Sequence, residues 1–387
     1  MNKTILIMGS RGYQKKYGGW ETLVDNLIVR WKNPSFTFVV FEVTNVKKED
    51  KSIIYKNGIK CIQIYAKKFG QFTMVLFSIK ALLYSFIFIS ENKIKSPIFL
   101  VLGYRIGFLF FLLKSKLNSL KAKIIINPDG IEWTRAKYNF FAKTYLRSSE
   151  YFMLTSSNDI VCDSLEILSY VKKHFPSKEK DALYISYGAD SNYIDDTKNS
   201  FTFLNSLSLE KQQYYLIVGR FIPENNFELM LKEFMLSKTT KKLAIVTNFE
   251  KNSFYKYLKN KLHYELDKRI IMIGPVYDKE KLSILRFNAF AYIHGHSAGG
   301  TNPSLLEAMS LTSLNILFDV PYNREVGLNH VYYFDKKIKL SNTIANIELL
   351  DNKSILSLAE RSKKRIIDDY SWDKVVTGYE NLFNKYL

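Results

Sequence analysis

The sequence predicts an α/β fold made of two doubly wound domains that face each other across a cleft. Short apolar runs rich in β-branched and aromatic residues alternate with segments of helical spacing, as they do in repeated βα units. The pattern occurs twice, and a polar stretch at 190–213 separates the two halves. The length of 387 residues fits two domains of roughly 150 to 200 residues each.

The strands are predicted from the apolar runs. In the first half these are "TILIMG", "FTFVVFEV", "IKCIQIY", "PIFLVLG", "KIIINP", "YFMLTSS" and "ALYISYG", and in the second half "QYYLIVGR", "KKLAIVTN", "RIIMIGPV", "AFAYIHGH", "LNILFDV" and "VYYFD". The helix after the first strand is indicated by apolar residues at helical spacing: Trp20, Leu23, Val24, Leu27, Ile28 and Trp31. The stretch "SWDKVVTGYENLF" (371–383) predicts a terminal amphipathic helix. We therefore predict an N-terminal domain at 1–195, a C-terminal domain at 196–368 and a closing helix at 369–387.

The charge balance predicts a protein that attracts anions. Lys and Arg number 56 against 37 Asp and Glu, a net charge of +19, which suits nucleic acid, anionic lipid or nucleotide diphosphates. No basic stripe with regularly spaced aromatic residues is visible, so nucleic acid is not an expected partner. Cys61 and Cys162 form no CxxC motif, and His294 and His296 have no third ligand nearby in sequence. Neither a disulfide framework nor a metal site is predicted.

Two apolar segments, 72–90 and 98–114, bear on membranes. Lys80 and Arg105 interrupt them, so neither offers the ~20 uninterrupted apolar residues that a membrane span needs. We expect buried or interfacial helices, and contact with a membrane surface stays open as the alternative. The N-terminus turns polar too early for a signal peptide, so we expect a cytoplasmic protein.

The loop after the first strand, "GSRGYQKKYGGWE" (9–21), is rich in glycine and precedes a helix. Such a context favours anion binding by the free N–H groups of a helix N-terminus. Its spacing departs from the dinucleotide fingerprint GxGxxG, and no Walker lysine is present. Gly9 and Gly12 also suit a tight turn. Gly18 and Gly19 favour close approach of a ligand to the backbone.

The loop "NPDGIEWTR" (127–135) follows the fifth predicted strand. A Pro-Asp-Gly turn is one interpretation of it. The other is that Asp129 is a carboxylate facing the cleft, with Glu132 and Arg135 nearby to orient a sugar.

The second half begins with a strand that ends in "VGRFIPENN" (218–226). Arg220 in that position is able to hold a diphosphate through bidentate, charge-assisted hydrogen bonds. Glu224 offers acceptors for sugar hydroxyls, and the alternative is an ordinary acidic residue at a helix N-terminus.

The most informative stretch is "HGHSAGGTNPSLLEAM" (294–309). Gly299 and Gly300 give a turn, Asn302 suits a helix cap and Pro303 suits the first helical position. The N–H groups of this helix would make a second anion site. Glu307 lies about one turn further along and is able to reach two ribose hydroxyls.

Together these loops resemble the GT-B glycosyltransferases of family 4 over nearly the whole chain, with "SYGAD" (186–190), "MIGPV" and the closing helix as further matches. More narrowly, "GSRGYQKKYGGWETLVDNL", "NPDGIEWTRAKY", "GRFIPENN" and "HSAGGTNPSLLEAM" look like bacterial rhamnosyltransferases of capsule or cell-wall polysaccharide assembly, which use dTDP-rhamnose and a lipid-linked sugar acceptor. The resemblance implies two Rossmann-like domains, the closing helix packed back on the N-terminal domain, and a peripheral location at the inner face of the plasma membrane.

The resemblance also implies site residues. Arg220 would bind the donor diphosphate and Glu307 the ribose, while Gly274 and Pro275 would lie on the base side. The full predicted donor set is Gly18, Gly19, Arg220, Glu224, Asn225, Gly274, Pro275, His296, Gly299, Gly300, Thr301, Asn302 and Glu307. The predicted acceptor set is Tyr17, Glu21, Asn127, Asp129, Glu132 and Arg135. The residues predicted to act in catalysis are Asp129, Arg220 and Glu224.

Two positions depart from the family pattern. The family has a Glu eight residues before the one on the helix, where this chain has Gly299, and a Lys five residues after the Arg, where it has Asn225. Loss of the first carboxylate fits a donor without the usual hydroxyl pattern, such as a 6-deoxy sugar. The resemblance further implies retention of the anomeric configuration by front-face displacement, with no metal or cofactor, and Asp129 orienting the acceptor hydroxyl.

Other functions stay open at this stage. A nucleotide-sugar 2-epimerase shares the fold but works without an acceptor. A non-catalytic carbohydrate-binding protein would bind the donor without turnover, and the missing carboxylate at position 299 keeps that alternative. Within the transferases, UDP-glucose or another nucleotide sugar is the alternative donor.

Overall fold

The computed structural model describes residues 2–15, 18–46, 51–67, 70–128, 130–135, 138–191, 198–249 and 253–387. The chain divides into two compact units. Unit 1 comprises Met1–Tyr187 together with Trp372–Leu387, and unit 2 comprises Gly188–Ser371. The predicted boundary between residues 195 and 196 falls outside the described residues, and the division itself comes earlier, after Tyr187.

Unit 1 is built on a sheet whose strands run in the order β3-β4-β2-β1-β5-β6-β7-β8. Its strands are β1 Lys3–Met8, β2 Phe36–Thr44, β3 Lys51–Lys56, β4 Ile59–Tyr65, β5 Ile98–Leu102, β6 Lys123–Asn127, β7 Asp159–Cys162 and β8 Ala182–Tyr184. Neighbouring strands are parallel except that β3 runs antiparallel to β4. The helices are α1 Gly19–Arg30, α2 Thr73–Glu91, α3 Gly107–Leu112, α4 Lys114–Ser119, α5 Phe140–Ser156 and α6 Leu165–His174.

The apolar periodicity after β1 gives the predicted helix. The apolar face of α1 is buried, as its spacing requires: Trp20, Leu23, Val24, Leu27 and Ile28. The sixth residue of the pattern, Trp31, follows the helix as its C-terminal cap and has extended backbone angles.

Two sequence-based predictions of secondary structure are wrong. Segment 98–114 is not one helix, because its first part is β5, the strand predicted from "PIFLVLG", which lies buried between β1 and β6. The run "YFMLTSS" (151–157) is not a strand, because it forms the last turns of α5. The strand there is the short buried β7, and the antiparallel β3 was not predicted.

Helix α2 covers part of the sheet and packs against β1, β2 and β4. Its buried residues are Phe77, Ser78, Ala81, Leu82, Ser85, Phe86, Phe88 and Ile89. Among the described residues it is the helix that is long and apolar enough to cross a membrane by length and composition, and 44% of that apolar window is buried inside the protein. Lys80 donates from Nζ to the carbonyl oxygen of Tyr65 at 3.1 Å.

Unit 2 is built on a parallel sheet in the order β11-β10-β9-β12-β13-β14. Its strands are β9 Tyr214–Val218, β10 Lys242–Val246, β11 Ile270–Met272, β12 Ala291–His294, β13 Leu314–Phe318 and β14 Tyr332–Phe334. Its helices are α7 Lys198–Ser206, α8 Phe227–Leu236, α9 Ser253–Leu262, α10 Lys279–Asn288, α11 Pro303–Leu311, α12 Pro321–Gly327, α13 Leu340–Ile347 and α14 Asn352–Asp369. Helix α7 lies within the stretch predicted as a polar linker.

The chain ends in helix α15, Trp372–Asn384, which belongs to unit 1 and packs against α1. Its buried residues are Trp372, Val375, Val376, Tyr379, Leu382 and Phe383. The rings of Trp31 and Phe383 lie 5.6 Å apart, and Asn33 donates from Nδ2 to Oε1 of Glu380 at 2.8 Å. An amphipathic terminal helix is therefore correctly predicted by the spacing.

Both sheets fix where functional loops lie. Because neighbouring parallel strands end at the same edge, the loops after β1, β5 and β6 share one edge of unit 1. In unit 2 the loops after β9 and β12 are neighbours for the same reason.

Candidate active site

In unit 2 the loops after β9 and β12, residues 219–226 and 295–302, are joined side by side. Asn226 donates from Nδ2 to the carbonyl oxygen of Gly295 at 2.8 Å, and Oδ1 of Asn225 lies 2.8 Å from Nδ1 of His296. Ser297 donates to the carbonyl oxygen of Glu224 from its backbone N–H at 3.0 Å and from its hydroxyl at 2.8 Å. The structure thus brings together the predicted donor residues Glu224, Asn225 and His296.

Asn225 also fixes the backbone next to Arg220. Its Nδ2 donates to the carbonyl oxygen of Arg220 at 2.7 Å, while the Arg220 side chain is exposed. A Cβ on Gly295 would lie 2.3 Å from the carbonyl oxygen of Asn225, so only glycine permits this approach of the loops. Arg220 is accordingly presented to solvent from a braced backbone.

A buried asparagine supports His296 from the other side. Asn323, at the start of α12, is 2% exposed and donates from Nδ2 to His296 O at 2.9 Å and to Phe318 O at 2.8 Å. The loop after β12 is therefore anchored on both the β9 and the β13 side. Nothing in the sequence pattern around Asn323 pointed to this role.

His294 closes β12 and is buried below this loop. Burial is the main cause that lowers the pKa of His294 well below its ordinary value, and the nearby His296 lowers it further. The imidazole of His294 is therefore neutral at pH 7. Its Nδ1 lies 3.4 Å from Oη of Tyr292, and its Nε2 is buried without a hydrogen-bond partner.

Helix α11 begins where the sequence places it. Oδ1 of Asn302 accepts from the backbone N–H of Ser304 at 2.9 Å, and Pro303 occupies the first turn. Gly299 has a φ of +112°, which only glycine adopts readily, and Thr301 is 4% exposed. Gly300 is buried beside them.

Glu307 is held by a buried arginine. Nη2 of Arg286, on α10, lies 2.6 Å from Oε2 of Glu307 and 3.2 Å from Oγ of Ser304. That hydroxyl is 3.1 Å from Oη of Tyr292, which donates to Val218 O at 3.1 Å. A polar network therefore runs from the end of β9 to the first turns of α11, and sequence reasoning missed its members other than Glu307.

Gly274 and Pro275 lie after β11, two strands away from β9 in the same sheet. Gly274 has a φ of +74°, and a Cβ there would meet nothing within 4 Å. The glycine is thus required by backbone conformation rather than by crowding. Pro275 is exposed.

In unit 1 the loop after β1 is held by carboxylates of the protein itself. Its backbone N–H groups donate from Arg11 to Glu21 Oε1 (2.7 Å), from Tyr13 to Glu42 Oε1 (2.9 Å) and from Gln14 to Asp25 Oδ1 (2.7 Å). Glu21, predicted to bind the acceptor, is 6% exposed and serves here to hold the loop. The N–H groups of Arg11, Tyr13 and Gln14 therefore bind the protein itself, and the anion site predicted at the start of α1 stays a prediction.

Glu42, on β2, is completely buried and pairs with Lys56 of β3, whose Nζ lies 2.7 and 2.9 Å from its carboxylate oxygens. The same ammonium donates to the carbonyl oxygen of Tyr13 at 2.7 Å. A Cβ on Gly12 would lie 2.6 Å from the Glu42 side chain, so glycine lets the loop cross this pair.

Gly18 precedes α1 and Gly19 begins it. A Cβ on Gly18 would lie 1.8 Å from Oε2 of Glu21, and a Cβ on Gly19 would lie 3.4 Å from Oη of Tyr187. The first glycine therefore makes room for the carboxylate of Glu21. The predicted residues Tyr17 and Asp129 lie outside the described residues.

Arg105, three residues after the end of β5, links the loops of this edge and was missed as a site residue. Its Nη1 donates to the carbonyl oxygen of Gly9 at 3.4 Å, and its Cζ lies 4.9 Å from the centre of the Trp20 ring. Its Nη2 is 4.0 Å from Oε2 of Glu132. The position after a central strand was the available signal, because ligands bind at strand ends in such sheets.

Glu132 is 8% exposed and accepts from Oη of Tyr138 at 2.6 Å. Burial and the Glu132 carboxylate raise the pKa of Tyr138, so the phenol keeps its proton and donates. Arg135 follows at the end of the same turn, donating from its backbone to Glu132 O at 3.2 Å. The structure thus brings Glu132 and Arg135 together, with Arg105 beside the former.

Asn127 does not lie with them at the surface. It is 1% exposed, and its Nδ2 is 3.5 Å from Oη of Tyr379 on α15. The expected contact of its side chain with an acceptor is contradicted by this placement, since the terminal helix covers the end of β6.

Comparisons with known families divide the chain in the same way. Residues 2–190 match the family described as a domain of unknown function (DUF1972), and residues 200–365 match the family described as Glycosyl transferases group 1. The second half of the chain thus carries a glycosyltransferase domain, which supports a GT-B glycosyltransferase. Among curated proteins, none matches it significantly.

Solved structures share the fold of this chain over its full length. A sucrose-phosphate synthase from Thermosynechococcus elongatus has a TM-score of 0.79 at 14% identity, covering 100% of this chain and 99% of its own. HepE from Anabaena, solved in complex with UDP, has a TM-score of 0.74 at 11% sequence identity, and the match covers 100% of both chains. A glycosyltransferase from Rickettsia africae has a TM-score of 0.72 at 14% sequence identity, and the match covers 99% of this chain and 98% of its own. The predicted GT-B fold is confirmed.

Proposed function

We propose that this glycosyltransferase moves L-rhamnose from dTDP-β-L-rhamnose to a lipid-linked GlcNAc or glucose during bacterial surface polysaccharide synthesis. The observation that carries the proposal is the joined pair of loops in unit 2. Asn225 holds the backbone of Arg220 and the ring of His296 at once, and leaves the guanidinium of Arg220 exposed. That arrangement suits a nucleotide diphosphate.

A nucleotide-sugar donor is supported by the relatives as well. HepE has been solved in complex with UDP and in complex with UDP and glucose. The match of residues 200–365 to Glycosyl transferases group 1 lies in the same unit as Arg220 and Glu307. Helix α11, with its capped N-terminus, adds backbone N–H groups that favour phosphate.

A 6-deoxy sugar is favoured by position 299. The resemblance places a carboxylate there that would accept hydrogen bonds from the donor sugar, and this chain has a glycine with positive φ. A sugar with fewer hydroxyls has less need of that acceptor. UDP-glucose remains the second candidate, because HepE holds UDP and glucose.

The proposed chemistry is stabilisation of charge on the leaving diphosphate. As the glycosidic C–O bond to the diphosphate breaks, negative charge grows on the phosphate oxygens, and the Arg220 guanidinium and the start of α11 would stabilise it. The acceptor hydroxyl attacks from the same face, its oxygen forms the new bond to the sugar, and its proton passes to a phosphate oxygen. Glu224 would hold sugar hydroxyls, and Asp129 would orient the acceptor hydroxyl.

The proposed acceptor explains the surface charge and the location. A lipid-linked saccharide lies at the inner leaflet of the plasma membrane, where a protein of net charge +19 is attracted to anionic headgroups. Glu132 and Arg135, with Arg105 beside them, form the polar group of unit 1 that we assign to the acceptor sugar.

A donor screen tests the proposal. The purified protein is incubated with one donor, either dTDP-rhamnose, UDP-glucose or another nucleotide sugar, and with a synthetic lipid-linked GlcNAc or glucose as the acceptor. The mass added to the acceptor is measured by mass spectrometry. A gain of one deoxyhexose from dTDP-rhamnose is expected. A gain of a hexose would overturn the rhamnose assignment, and donor consumption without an acceptor product would favour an epimerase.

The residue roles are tested separately. Arg220→Ala should weaken dTDP binding at least about tenfold, since one charge-assisted, bidentate contact is lost. Unchanged affinity would remove the diphosphate assignment. Asp129→Asn should slow transfer without changing donor affinity, and transfer at the parental rate would exclude the role of Asp129.

A further inference from the structure

The surface formed by α3 and the first half of α5 in unit 1 is apolar and exposed. We call it the aromatic face, and define it by Phe108, Phe111, Leu112, Phe140, Phe141 and Tyr145. Their exposed fractions are 49%, 47%, 56%, 76%, 80% and 45%. Single exposed apolar residues are common, but several on two helices that pack together favour a surface that another apolar phase covers.

The two parts of the aromatic face belong to helices that pack together, because α3 packs against α5. The rings of Phe108 and Phe111 lie 5.8 and 5.0 Å from the ring of Phe152, which is half-buried between the helices. A Cβ on Gly107 would lie 1.9 Å from the carbonyl oxygen of Ser149, so this glycine permits the close packing. The α3 part of the aromatic face therefore rests on the later turns of α5.

At the start of α5 the most exposed rings belong to Phe140 and Phe141. Asn139 caps the helix, its Oδ1 accepting from the N–H of Ala142 at 2.9 Å. The capped first turn thus holds both rings outward, 5.9 Å apart. Helical spacing puts Tyr145 one turn after Phe141 on the same side.

The surroundings of the aromatic face are basic. The stretches 107–119 and 138–149 contain no Asp or Glu, and their basic residues are Lys114, Lys116, Lys143 and Arg147. Exposed aromatic rings flanked by Lys and Arg suit the interface of an anionic bilayer, where the rings lie at headgroup depth and the charges meet phosphates.

We infer that the aromatic face is the membrane-docking surface of the protein and that its partner is an anionic lipid bilayer. Its position next to the proposed acceptor residues supports this, because Oη of Tyr145 donates to the carbonyl oxygen of Arg105 at 2.6 Å. A docked bilayer would then lie beside Arg105 and Glu132. The inference deepens the proposed function, on which it rests for the lipid-linked nature of the acceptor. Within the apolar segments 72–90 and 98–114 it narrows the membrane contact to α3, and it adds the start of α5.

Flotation with vesicles tests the inference without donor or acceptor, so the result does not depend on transfer. The wild type should float with vesicles containing phosphatidylglycerol at low salt. The double variant Phe140→Ser/Phe141→Ser should bind at least about tenfold more weakly, because two exposed rings no longer enter the interface. The matched control is Leu266→Ser/Leu349→Ser in unit 2, which removes side chains that are 78% and 86% exposed and should float like the wild type.

The charge contribution is tested with Lys114→Gln/Lys143→Gln, which should float less with anionic vesicles and show a weaker dependence on salt. Circular dichroism and dTDP binding by each variant establish that it is folded. The inference is overturned if the wild type stays unbound, if the Phe double variant floats equally well, or if that variant instead disperses a dimer seen by light scattering, which would make the face a protein interface.

Discussion

Arg286 and Glu307 form an ion pair across α10 and α11, with Nη2 and Oε2 2.6 Å apart. Arg286 is 3% exposed, whereas the side chain of Glu307 is 38% exposed. The carboxylate therefore has one oxygen directed to a buried cation and still reaches solvent. This is the geometry of a ligand-binding carboxylate that is oriented from within the protein.

The pair allows its structural and binding roles to be separated. Glu307→Gln and Arg286→Lys both disturb the ion pair. Each should lower the free energy of unfolding of unit 2 by about 1–3 kcal/mol, which is less than the loss expected when a fully buried pair is broken. Only Glu307→Gln removes the carboxylate. It should raise the dTDP dissociation constant at least about tenfold, and Arg286→Lys less than about threefold. Calorimetric titration measures both. An equal loss of dTDP affinity in the two variants would show that α11 had moved and that the Glu307 carboxylate itself contributes little to binding.

Asn225 should matter for binding although it carries no charge. Asn225→Ala removes the hydrogen bonds to Arg220 O and His296 Nδ1, so both loops lose their common support. We expect a weakening of dTDP binding of about tenfold. Asn225→Asp keeps an acceptor for His296 but loses the donor to Arg220 O. Its dTDP affinity should lie between those of the wild type and Asn225→Ala. Asn33→Ala in unit 1, which loses a bond to Glu380, serves as the control. Wild-type affinity in Asn225→Ala would contradict the bracing role.

Arg105 should affect the acceptor and leave the donor alone. Arg105→Ala removes the contacts with Gly9 O, the Trp20 ring and Glu132 in unit 1. Transfer to a short-chain soluble acceptor should fall at least about tenfold, while dTDP affinity should not change.

Two variants sharpen that experiment. Arg105→Lys keeps the charge but not the planar stack on Trp20, and should recover transfer only in part. Arg147→Ala loses a comparable contact with the ring of Trp133, 5.2 Å away, outside the assigned acceptor group. If Arg147→Ala were as slow as Arg105→Ala, the effect would be general destabilisation of unit 1.

His294 should make the protein less stable in acid. Its pKa is lowered by burial and by His296, so the folded state resists protonation that the unfolded state accepts near pH 6.5. The stability it contributes is complete above that pH and is lost as the pH falls toward the lowered value. The slope approaches about 1.4 kcal/mol per pH unit. Melting temperatures between pH 7.5 and 5 should therefore converge for wild type and His294→Gln, and an NMR titration should show the His294 ring neutral at pH 6. A ring that titrates at 6.5 would refute the assignment.

Much of unit 2 follows from local sequence. Asn302 and Pro303 mark the start of α11 because cap and first-turn preferences depend only on neighbouring residues. The supports of the site are different. Arg286 is 21 positions before Glu307 in a helix of unremarkable pattern, and Asn323 reaches His296 across two strands. Such contacts arise from tertiary packing, which periodicity does not report.

In unit 1 the errors have a similar origin. Segment 98–114 has the apolarity of a helix because β5 is buried on both faces, and parallel buried strands are apolar throughout. Arg105 was accordingly interpreted only as an interruption of an apolar segment. Its position three residues beyond a central strand is the reason for which we assign it to the proposed acceptor group. The run 151–157 was taken for a strand because half of the last turns of α5 face the sheet.

The carboxylates that hold the loop after β1 have a consequence for the thermodynamics of turnover. Glu21, Glu42 and Asp25 fix the backbone at Arg11, Tyr13 and Gln14 before any substrate arrives. The conformational entropy of these positions is thus lost during folding, and little remains to be lost on binding. We expect substrate association at this edge of unit 1 to be rigid and fast to form, with specificity set by shape and not by induced ordering.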